Sequence, residues 1–369
     1  MNVYSLPRPL FLHDFIVYFQ IAHYSLSEYT KTPFRLTGVQ TDYIMEDTVK
    51  QNWLPPCAYR RIFRMNEISK QWLQALGTPS TPIPDEKPVL LYRREEETYT
   101  LEMYCQINGE GTAQRLLMGF PKNAASPCPA VAVPFYVAGQ MLGYDPETGA
   151  LHPRYQKVPI MLDLLRRGYA VATADSYHLT YYESPLPPMD FTRWKEAAEE
   201  LYEDHPHWTG VGKLVSDTQL VIDALALDPR VDANRIGIIG FSLGGKMAFY
   251  TGCLDERIKA ICAIDFGFLW HQTNWRDIWY WGNKVDELIE KGMDHEQLLS
   301  ACAPKPLCIL GGEFDTEESG EVLLHIQKTV PGYAPDDGRL QYLRYGYEHL
   351  PTPEALAYGY DFLDRWLKK

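Results

Sequence analysis

From about residue 88 onwards, short runs of apolar residues alternate with longer stretches whose apolar positions recur at helical spacing. Runs of about five apolar residues are typical of strands that are buried on both faces of a sheet. Strands that alternate with helices indicate βαβ units, so the pattern predicts an α/β fold with a mostly parallel central sheet and helices on both faces. The expected strands are 130–134, 169–174, 235–240, 258–264, 306–310 and 340–345, and the expected helices are 159–167, 214–227, 244–252 and 353–367.

A hairpin is expected ahead of this parallel part. Apolar and polar residues alternate over 99–107, which is the two-residue period of a strand. The stretch 108–111 reads Asn-Gly-Glu-Gly, which is a turn signal, and 113–120 supplies the returning strand.

The N-terminal part follows a different pattern. It is rich in aromatic residues and proline, and it predicts two helices, around 10–25 and 60–75. The proline-containing stretch 77–84 cannot hold a helix and is expected to be a linker. We therefore divide the chain into an extension at 1–88 and a main domain at 89–369. The extension either packs on or near the functional face of the main domain, covers a pocket there, or contacts a second subunit, so a homo-oligomer is left open.

The charge and the cysteines exclude several classes of partner and site. With 35 Lys+Arg against 48 Asp+Glu, the net charge is −13 when His is neutral. Nucleic acids and anionic membranes are bound by clustered basic side chains, so neither is an expected partner. The seven cysteines show no Cys-x-x-Cys spacing, and the sequence shows neither a membrane helix nor a signal peptide. We expect a cytoplasmic protein with reduced thiols.

The sharpest local feature lies where the predicted strand 235–240 meets the predicted helix 244–252. Residues 240–244 read Gly-x-Ser-x-Gly, with Ser242 at the centre, which is the pattern of a nucleophile elbow. A serine on such a sharp turn has strained backbone angles, and the positions two residues away have little room for a Cβ. The pattern predicts that Ser242 is a nucleophile above the carboxyl ends of the strands.

A serine nucleophile of this kind needs an acid and then a histidine, each placed after a later strand. Asp315 and His349 both follow predicted strands and occur in that order. The histidine is expected to take the proton of the serine hydroxyl, while the carboxylate holds the imidazole in the required tautomer. Asp315 is the first choice for the acid. Asp265, at the end of the preceding strand, and Glu313 are the alternatives.

Two backbone N–H groups are candidates for stabilising an oxyanion. One is the N–H group of Leu243, at the start of the helix that follows Ser242. The other is the N–H group of Tyr136, in the loop after the strand 130–134. A group of aromatic residues after the strand 258–264 either packs in the core or forms an apolar or sugar-stacking wall over the serine. This group consists of Phe266, Phe268, Trp270, Trp275, Trp279, Tyr280 and Trp281.

From about residue 90 to its end the chain resembles the α/β-hydrolases, and in particular their dienelactone-hydrolase and acetyl-xylan-esterase-like branch. The sequence departs from the pattern of that branch at Pro134-Phe135, where His-Gly is usual, and at Ser242, where dienelactone hydrolases proper have cysteine. The loop after Asp315 also lacks the usual Phe/Val-Pro. The segments that carry the resemblance are 166–171, 228–237, 240–245, 303–307, His349 and 362–367.

The resemblance implies a Ser–Asp–His triad and ester hydrolysis. We expect a serine carboxylesterase that works through an acyl-enzyme, needs no cofactor or metal, and acts on a small-molecule or oligosaccharide ester such as an acetylated sugar. A serine peptidase or amidase on the same fold is one alternative, although about 90 N-terminal residues are too few for the propeller that usually accompanies oligopeptidases. A non-catalytic relative that only binds its ligand is the other alternative.

Overall fold

The computed structural model describes residues 66–80, 87–109 and 111–368. In this part of the chain the strands are β1 Val89–Glu95, β2 Tyr99–Ile107, β3 Ala113–Pro121, β4 Cys128–Ala132, β5 Ala170–Ala174, β6 Val231–Phe241, β7 Ile258–Ile264, β8 Leu307–Gly311 and β9 Leu340–Arg344. They form one sheet in the order β1-β2-β3-β5-β4-β6-β7-β8-β9. The pairs β1–β2, β2–β3 and β3–β5 are antiparallel, and the remaining pairs are parallel.

Helices connect the parallel strands, and one further helix precedes the first strand and another follows the last. They are α1 Glu67–Leu76, α2 Ile160–Arg166, α3 Tyr177–Thr180, α4 Phe191–Asp204, α5 Gly210–Leu227, α6 Leu243–Leu254, α7 Ile278–Trp281, α8 Val285–Glu290, α9 His295–Ala301, α10 Glu317–Thr329 and α11 Pro353–Leu367. The mostly parallel α/β architecture expected from the apolar runs is confirmed. No helix in the described ranges combines the length and apolarity needed to cross a bilayer.

Burial explains why the parallel strands could be predicted. Strands β4, β5 and β8 are buried along their whole length, and such strands have uninterrupted apolar sequences. The hairpin is also confirmed, with Tyr99 paired to Pro121 and Ile107 paired to Ala113. Helix α6 is buried at every position, so the element that follows Ser242 is held on all sides.

Several elements were not predicted: strand β1 and the helices α3, α4, α7, α8, α9 and α10. Strand β1 lies at the edge of the sheet, where Val89 and Leu90 remain 63% and 49% exposed, so it lacks the alternation that marks a half-buried strand. Helix α4 buries Trp194 and Leu201 among many charged residues, and its apolar positions are too sparse to stand out.

Helix α1 lies inside the predicted N-terminal extension and packs into the main body. Trp72 is fully buried, and its indole N–H donates to Gln297 Oε1 at 3.2 Å. The Asn66 side chain accepts from the Ser69 N–H, which begins the helix, and donates to Ala301 O at 2.7 Å. The helix expected around 60–75 therefore begins at Glu67, and the helix expected around 10–25 lies outside the described residues.

Candidate active site

The turn between β6 and α6 has the backbone that a nucleophile elbow requires. Ser242 adopts φ 57° and ψ −116°, a conformation that is rare for a residue with a Cβ. The flanking glycines are a steric requirement, because a Cβ on Gly240 would lie 1.9 Å from Gly244 O and a Cβ on Gly244 would lie 2.1 Å from Pro134 O. The Ser242 N–H donates to Ile264 O at 2.9 Å, so the turn is tied to the end of β7.

Three polar side chains meet at this turn. His349 Nε2 lies 2.9 Å from Ser242 Oγ, and His349 Nδ1 lies 2.7 Å from Asp265 Oδ2. The imidazole is held between the rings of Phe241 and Phe314, at centroid distances of 4.6 and 4.8 Å. The histidine remains 18% exposed, whereas the aspartate is fully buried, so the carboxylate has no access to water and the imidazole has some.

The first choice for the acid is corrected by this geometry. Asp265, and neither Asp315 nor Glu313, contacts His349. Asp265 follows β7 directly in a left-handed conformation with φ 43°, which directs its side chain toward His349. Glu313 is exposed and contributes only its N–H, which donates to Asp265 Oδ2 at 3.1 Å.

Asp315 holds the loop behind the acid. Its carboxylate accepts the N–H groups of Phe266, Gly267 and Phe268 at 2.6 to 3.2 Å, which are the residues that follow Asp265. Burial raises the pKa of Asp315 to about 6, the backbone hydrogen bonds oppose this rise, and the negative charge of Asp265 adds to it. Asp315 therefore orders the chain around the acid and does not contact the imidazole.

Asp265 does the same for the loop that contains Asp315. Its carboxylate accepts the N–H groups of the four residues 312–315 at 2.8 to 3.1 Å, in addition to its contact with His349. The two aspartates thus each fix the backbone beside the other. Charge-assisted hydrogen bonds of this kind are the stronger ones in proteins, so the interlocked loops hold Asp265 in place.

The two expected oxyanion donors come from different segments of the chain. Leu243 directly follows Ser242, and Tyr136 lies in the loop after β4. Leu243 is the first residue of α6, where the helix leaves N–H groups without an intrahelical acceptor. The N–H of Tyr136 has no acceptor within the described part of the chain, and the Tyr136 carbonyl accepts the Ser176 N–H at 2.9 Å. Both N–H groups are free to bind a ligand oxygen, and their role as a pair remains a prediction.

The aromatic group after β7 divides into two parts. Trp270, Trp275 and Trp281 pack with Trp72 and the buried His295, so this part belongs to the core. Trp279 instead packs against helix α4, a relationship that the sequence did not reveal because α4 was not predicted.

Helix α4 brings further aromatic side chains to the site. The ring of Trp194 stacks on that of Tyr136, with centroids 4.5 Å apart and planes at 18°. Phe191, which is 61% exposed, packs on both Trp194 and Trp279, at 4.9 and 5.6 Å. A continuous aromatic strip therefore leads from the loop beside Ser242 to the surface. The paired spacing of Phe191 and Trp194 on one helical face was the only signal for it in the sequence.

Lys246 is a buried cation one helical turn after Ser242. It is 4% exposed, and its Nζ lies 3.4 Å from both Thr273 Oγ1 and Asn274 Oδ1. The nearest aromatic ring is that of Trp275, at 4.6 Å from Nζ to the centroid. In the described ranges no carboxylate forms an ion pair with this ammonium group, so its charge is poorly compensated.

Replacing Lys246 with methionine is expected to stabilise the fold, and more so at low pH. Burial lowers the pKa of Lys246 to about 7, although nearby carboxylates oppose this change. Below pH 7 the folded state therefore bears the full free-energy cost of the buried charge. This cost decreases as the pH rises from 7 toward the pKa of Lys246 in the unfolded chain, which is about 10.4. Urea unfolding should show a gain of roughly 2–5 kcal/mol at pH 6 and a smaller gain at pH 9. The matched control is Lys195→Met on the exposed face of α4, and a gain for Lys246→Met that is equal at both pH values would contradict the prediction.

The sheet order and the strand–serine–helix turn define the α/β-hydrolase fold. Residues 149–278 match the profile of the Dienelactone hydrolase family, a range that includes Ser242 and Asp265. A Bacillus subtilis protein that is assigned as a hydrolase, YtaP, is 27% identical over 316 residues, which cover 82% of this chain and 99% of that relative. The family profile and the fold together identify the protein as a hydrolase.

Solved structures of esterases share this fold. A glucuronoyl esterase from Solibacter usitatus superposes with a TM-score of 0.60 at 14% identity, over 81% of this chain and 90% of that one. A Bacteroides fragilis protein that is assigned as an acetyl xylan esterase gives a TM-score of 0.59 at 18% identity, over 77% of each chain. At these identities the likeness establishes the fold and leaves the substrate to be determined.

Proposed function

We propose that the protein is a serine carboxylesterase that acts through an acyl-enzyme. The observation that carries the proposal is the continuous hydrogen-bond chain from Ser242 Oγ through His349 to Asp265, with distances of 2.9 and 2.7 Å. This arrangement supplies a nucleophile, a base within reach of its proton, and a carboxylate that orients the base.

The reaction follows from this arrangement. Ser242 Oγ attacks the acyl carbon while His349 Nε2 takes the hydroxyl proton, and buried Asp265 stabilises the resulting imidazolium. His349 then gives the proton to the leaving alcohol, which leaves an acyl group on Ser242. Water, activated by the same histidine, attacks this ester and releases the acid. The N–H groups of Leu243 and Tyr136 are the proposed donors to the tetrahedral oxyanion.

The proposed substrate is a small-molecule or oligosaccharide ester, with an acetylated sugar as the specific candidate. Two observations support it. The esterases of similar fold carry names that refer to glucuronoyl esters and to acetyl xylan. The aromatic strip formed by Tyr136, Trp194, Phe191 and Trp279 ends at the surface in Phe191, which is 61% exposed, and an exposed aromatic ring suits contact with a pyranose ring.

The test is covalent labelling combined with a substrate panel. A fluorophosphonate probe is expected to label the protein at Ser242, as mapped by mass spectrometry, and p-nitrophenyl acetate and acetylated xylo-oligosaccharides are expected to be hydrolysed. If Ser242 carries no adduct, the protein is a non-catalytic relative. If aminoacyl amides are turned over faster than the matched esters, the protein is a peptidase or amidase.

A further inference from the structure

Two cysteine side chains meet where α6 and α9 end. Cys253 is the last residue but one of α6, and Cys302 directly follows α9. Their Sγ atoms lie 3.5 Å apart, and both side chains are free thiols. Because the sulfurs of a disulfide are about 2.05 Å apart, an approach of about 1.5 Å is enough to bring this pair to bonding distance.

The two thiols differ in their access to solvent. Cys253 is 6% exposed, whereas Cys302 is partly exposed. Lys305 Nζ donates to Gly252 O and Asp255 O, at 2.5 and 2.8 Å, so a positive charge lies at the end of α6 beside the two sulfurs. A nearby ammonium group favours the thiolate form of a cysteine. The pair therefore combines an accessible sulfur with an electropositive environment.

These surroundings make Cys302 the more reactive thiol of the two. A hydrogen bond with Cys253 lowers the pKa of Cys302, burial opposes this change, and the Lys305 ammonium group and the Tyr333 hydroxyl lower the pKa further. The Tyr333 oxygen is 3.8 Å from Cys302 Sγ. Burial instead raises the pKa of Cys253 well above its usual value. Since the thiolate is the attacking species in thiol–disulfide exchange, Cys302 is the expected first site of reaction.

A second cysteine pair, in the sheet, lacks both properties. Cys262 and Cys308 are register partners on β7 and β8, and both are fully buried. Burial raises the pKa of Cys308 well above its usual value, and the contact with Cys262 raises it further. Buried thiols of this kind are inert toward dissolved reagents. The sheet pair therefore provides an internal control for the pair at the helix ends.

We propose that Cys302 and Cys253 form a dithiol site that reacts with low-molecular-weight disulfides, such as glutathione disulfide, to give a reversible Cys253–Cys302 disulfide. The Cys302 thiolate attacks one sulfur of the reagent, whose S–S bond breaks and releases a first thiolate. Cys253 then loses its proton and attacks the Cys302 sulfur, which releases the second thiolate. The two cysteines lose two electrons and two protons, and the reagent takes up both to become two thiols.

The new bond ties α6 to α9. Helix α6 begins at the residue after Ser242, so the bond secures the helix that supports the elbow. It also closes a loop over residues 253–302, and a cross-link of this size restricts the unfolded chain. The oxidised protein should therefore melt at a temperature roughly 5 °C higher than the reduced protein. An oxidised protein that melts no higher than the reduced one would contradict this stabilising role.

The test is incubation of the full chain with glutathione disulfide, followed by alkylation of the remaining thiols and peptide mapping without reduction. We expect mass spectrometry to show a linked pair of peptides that contain Cys253 and Cys302, with no link between Cys262 and Cys308. Dithiothreitol should reverse the link completely. The Cys253→Ser variant should stop at a glutathione adduct on Cys302, because the second attack is lost.

Two further variants complete the experiment. Cys302→Ser should give no adduct on Cys253, because the remaining thiol is buried and protonated. The matched control is Cys105→Ser, which removes another partly exposed cysteine whose pKa is raised by burial, and this variant should form the link at the natural rate. The proposal is overturned by a link between any other two cysteines, by an adduct on Cys253 in Cys302→Ser, or by a natural protein that forms no link.

Discussion

Replacing Ser242 with alanine is expected to lower kcat/KM for p-nitrophenyl acetate by about 10⁴- to 10⁶-fold, because no other group can form the acyl-enzyme. The measurement is initial-rate hydrolysis at saturating and limiting substrate, with the fluorophosphonate adduct as a second readout. The fold should survive, since alanine occupies the same turn and both flanking glycines remain. A circular dichroism spectrum and melting temperature close to those of the natural protein would establish this.

The matched control is a serine that is buried elsewhere in the same domain. Ser216 lies on α5 and is 2% exposed, and its hydroxyl has no hydrogen-bond partner in the described ranges. Removing an unpaired buried hydroxyl is close to neutral or stabilising, so Ser216→Ala should keep full activity. Substantial hydrolysis by Ser242→Ala would rule out the assigned nucleophile and with it the proposed mechanism.

The second large effect distinguishes the two buried aspartates. Asp265→Asn is expected to lower kcat by about 10³- to 10⁴-fold, because an amide cannot stabilise the imidazolium of His349 or hold its tautomer. Asp315→Asn should retain activity within about tenfold while it is folded, since its side chain contacts backbone N–H groups and not the imidazole. Rates should be measured well below the melting temperature of each variant.

Stability separates the two roles further. Both substitutions place an amide NH₂ where the carboxylate accepted several buried N–H groups, so each should lose about 1–3 kcal/mol of unfolding free energy. The activity loss, in contrast, should appear only in Asp265→Asn. The exposed Glu313, whose side chain plays no part in the site, provides the control Glu313→Gln, which should be unaffected in both respects. A folded Asp315→Asn variant that is as inactive as Asp265→Asn would show that the acid has been misassigned.

The pairing of Ser242 with His349 was predictable because the sequence around each residue marks the end of a strand. The glycines around Ser242 are required because a Cβ on Gly240 would meet Gly244 O and a Cβ on Gly244 would meet Pro134 O in the loop beside it. The strand before these glycines is recognisable in the sequence as a continuous run of mostly apolar residues. His349 could be selected because it follows the last strand in the sheet. Both choices required only the rule that the carboxyl ends of parallel strands lie at one edge of the sheet.

The acid could not be selected by the same rule. Asp265 and Asp315 both follow strands that end at that edge, β7 and β8, which are neighbours in the sheet, so strand order alone leaves both within range of His349. The choice depends on the left-handed backbone of Asp265 and on which N–H groups each carboxylate accepts. The sequence favoured Asp315, which does not contact His349, because neither property has a local signature.

What the sequence by itself determined is the α/β architecture, the elbow at Ser242 and the order of the strands along the chain, because apolar period and glycine placement act over a few residues. What only the tertiary structure decided is which carboxylate faces His349, that the Trp194 ring clamps Tyr136, and that Lys246 lies buried without an ion pair. These contacts join segments more than 25 residues apart, from 27 residues between Lys246 and Thr273 to 84 residues between Asp265 and His349. Their geometry is set by the packing of whole helices and loops, which no short stretch of sequence encodes.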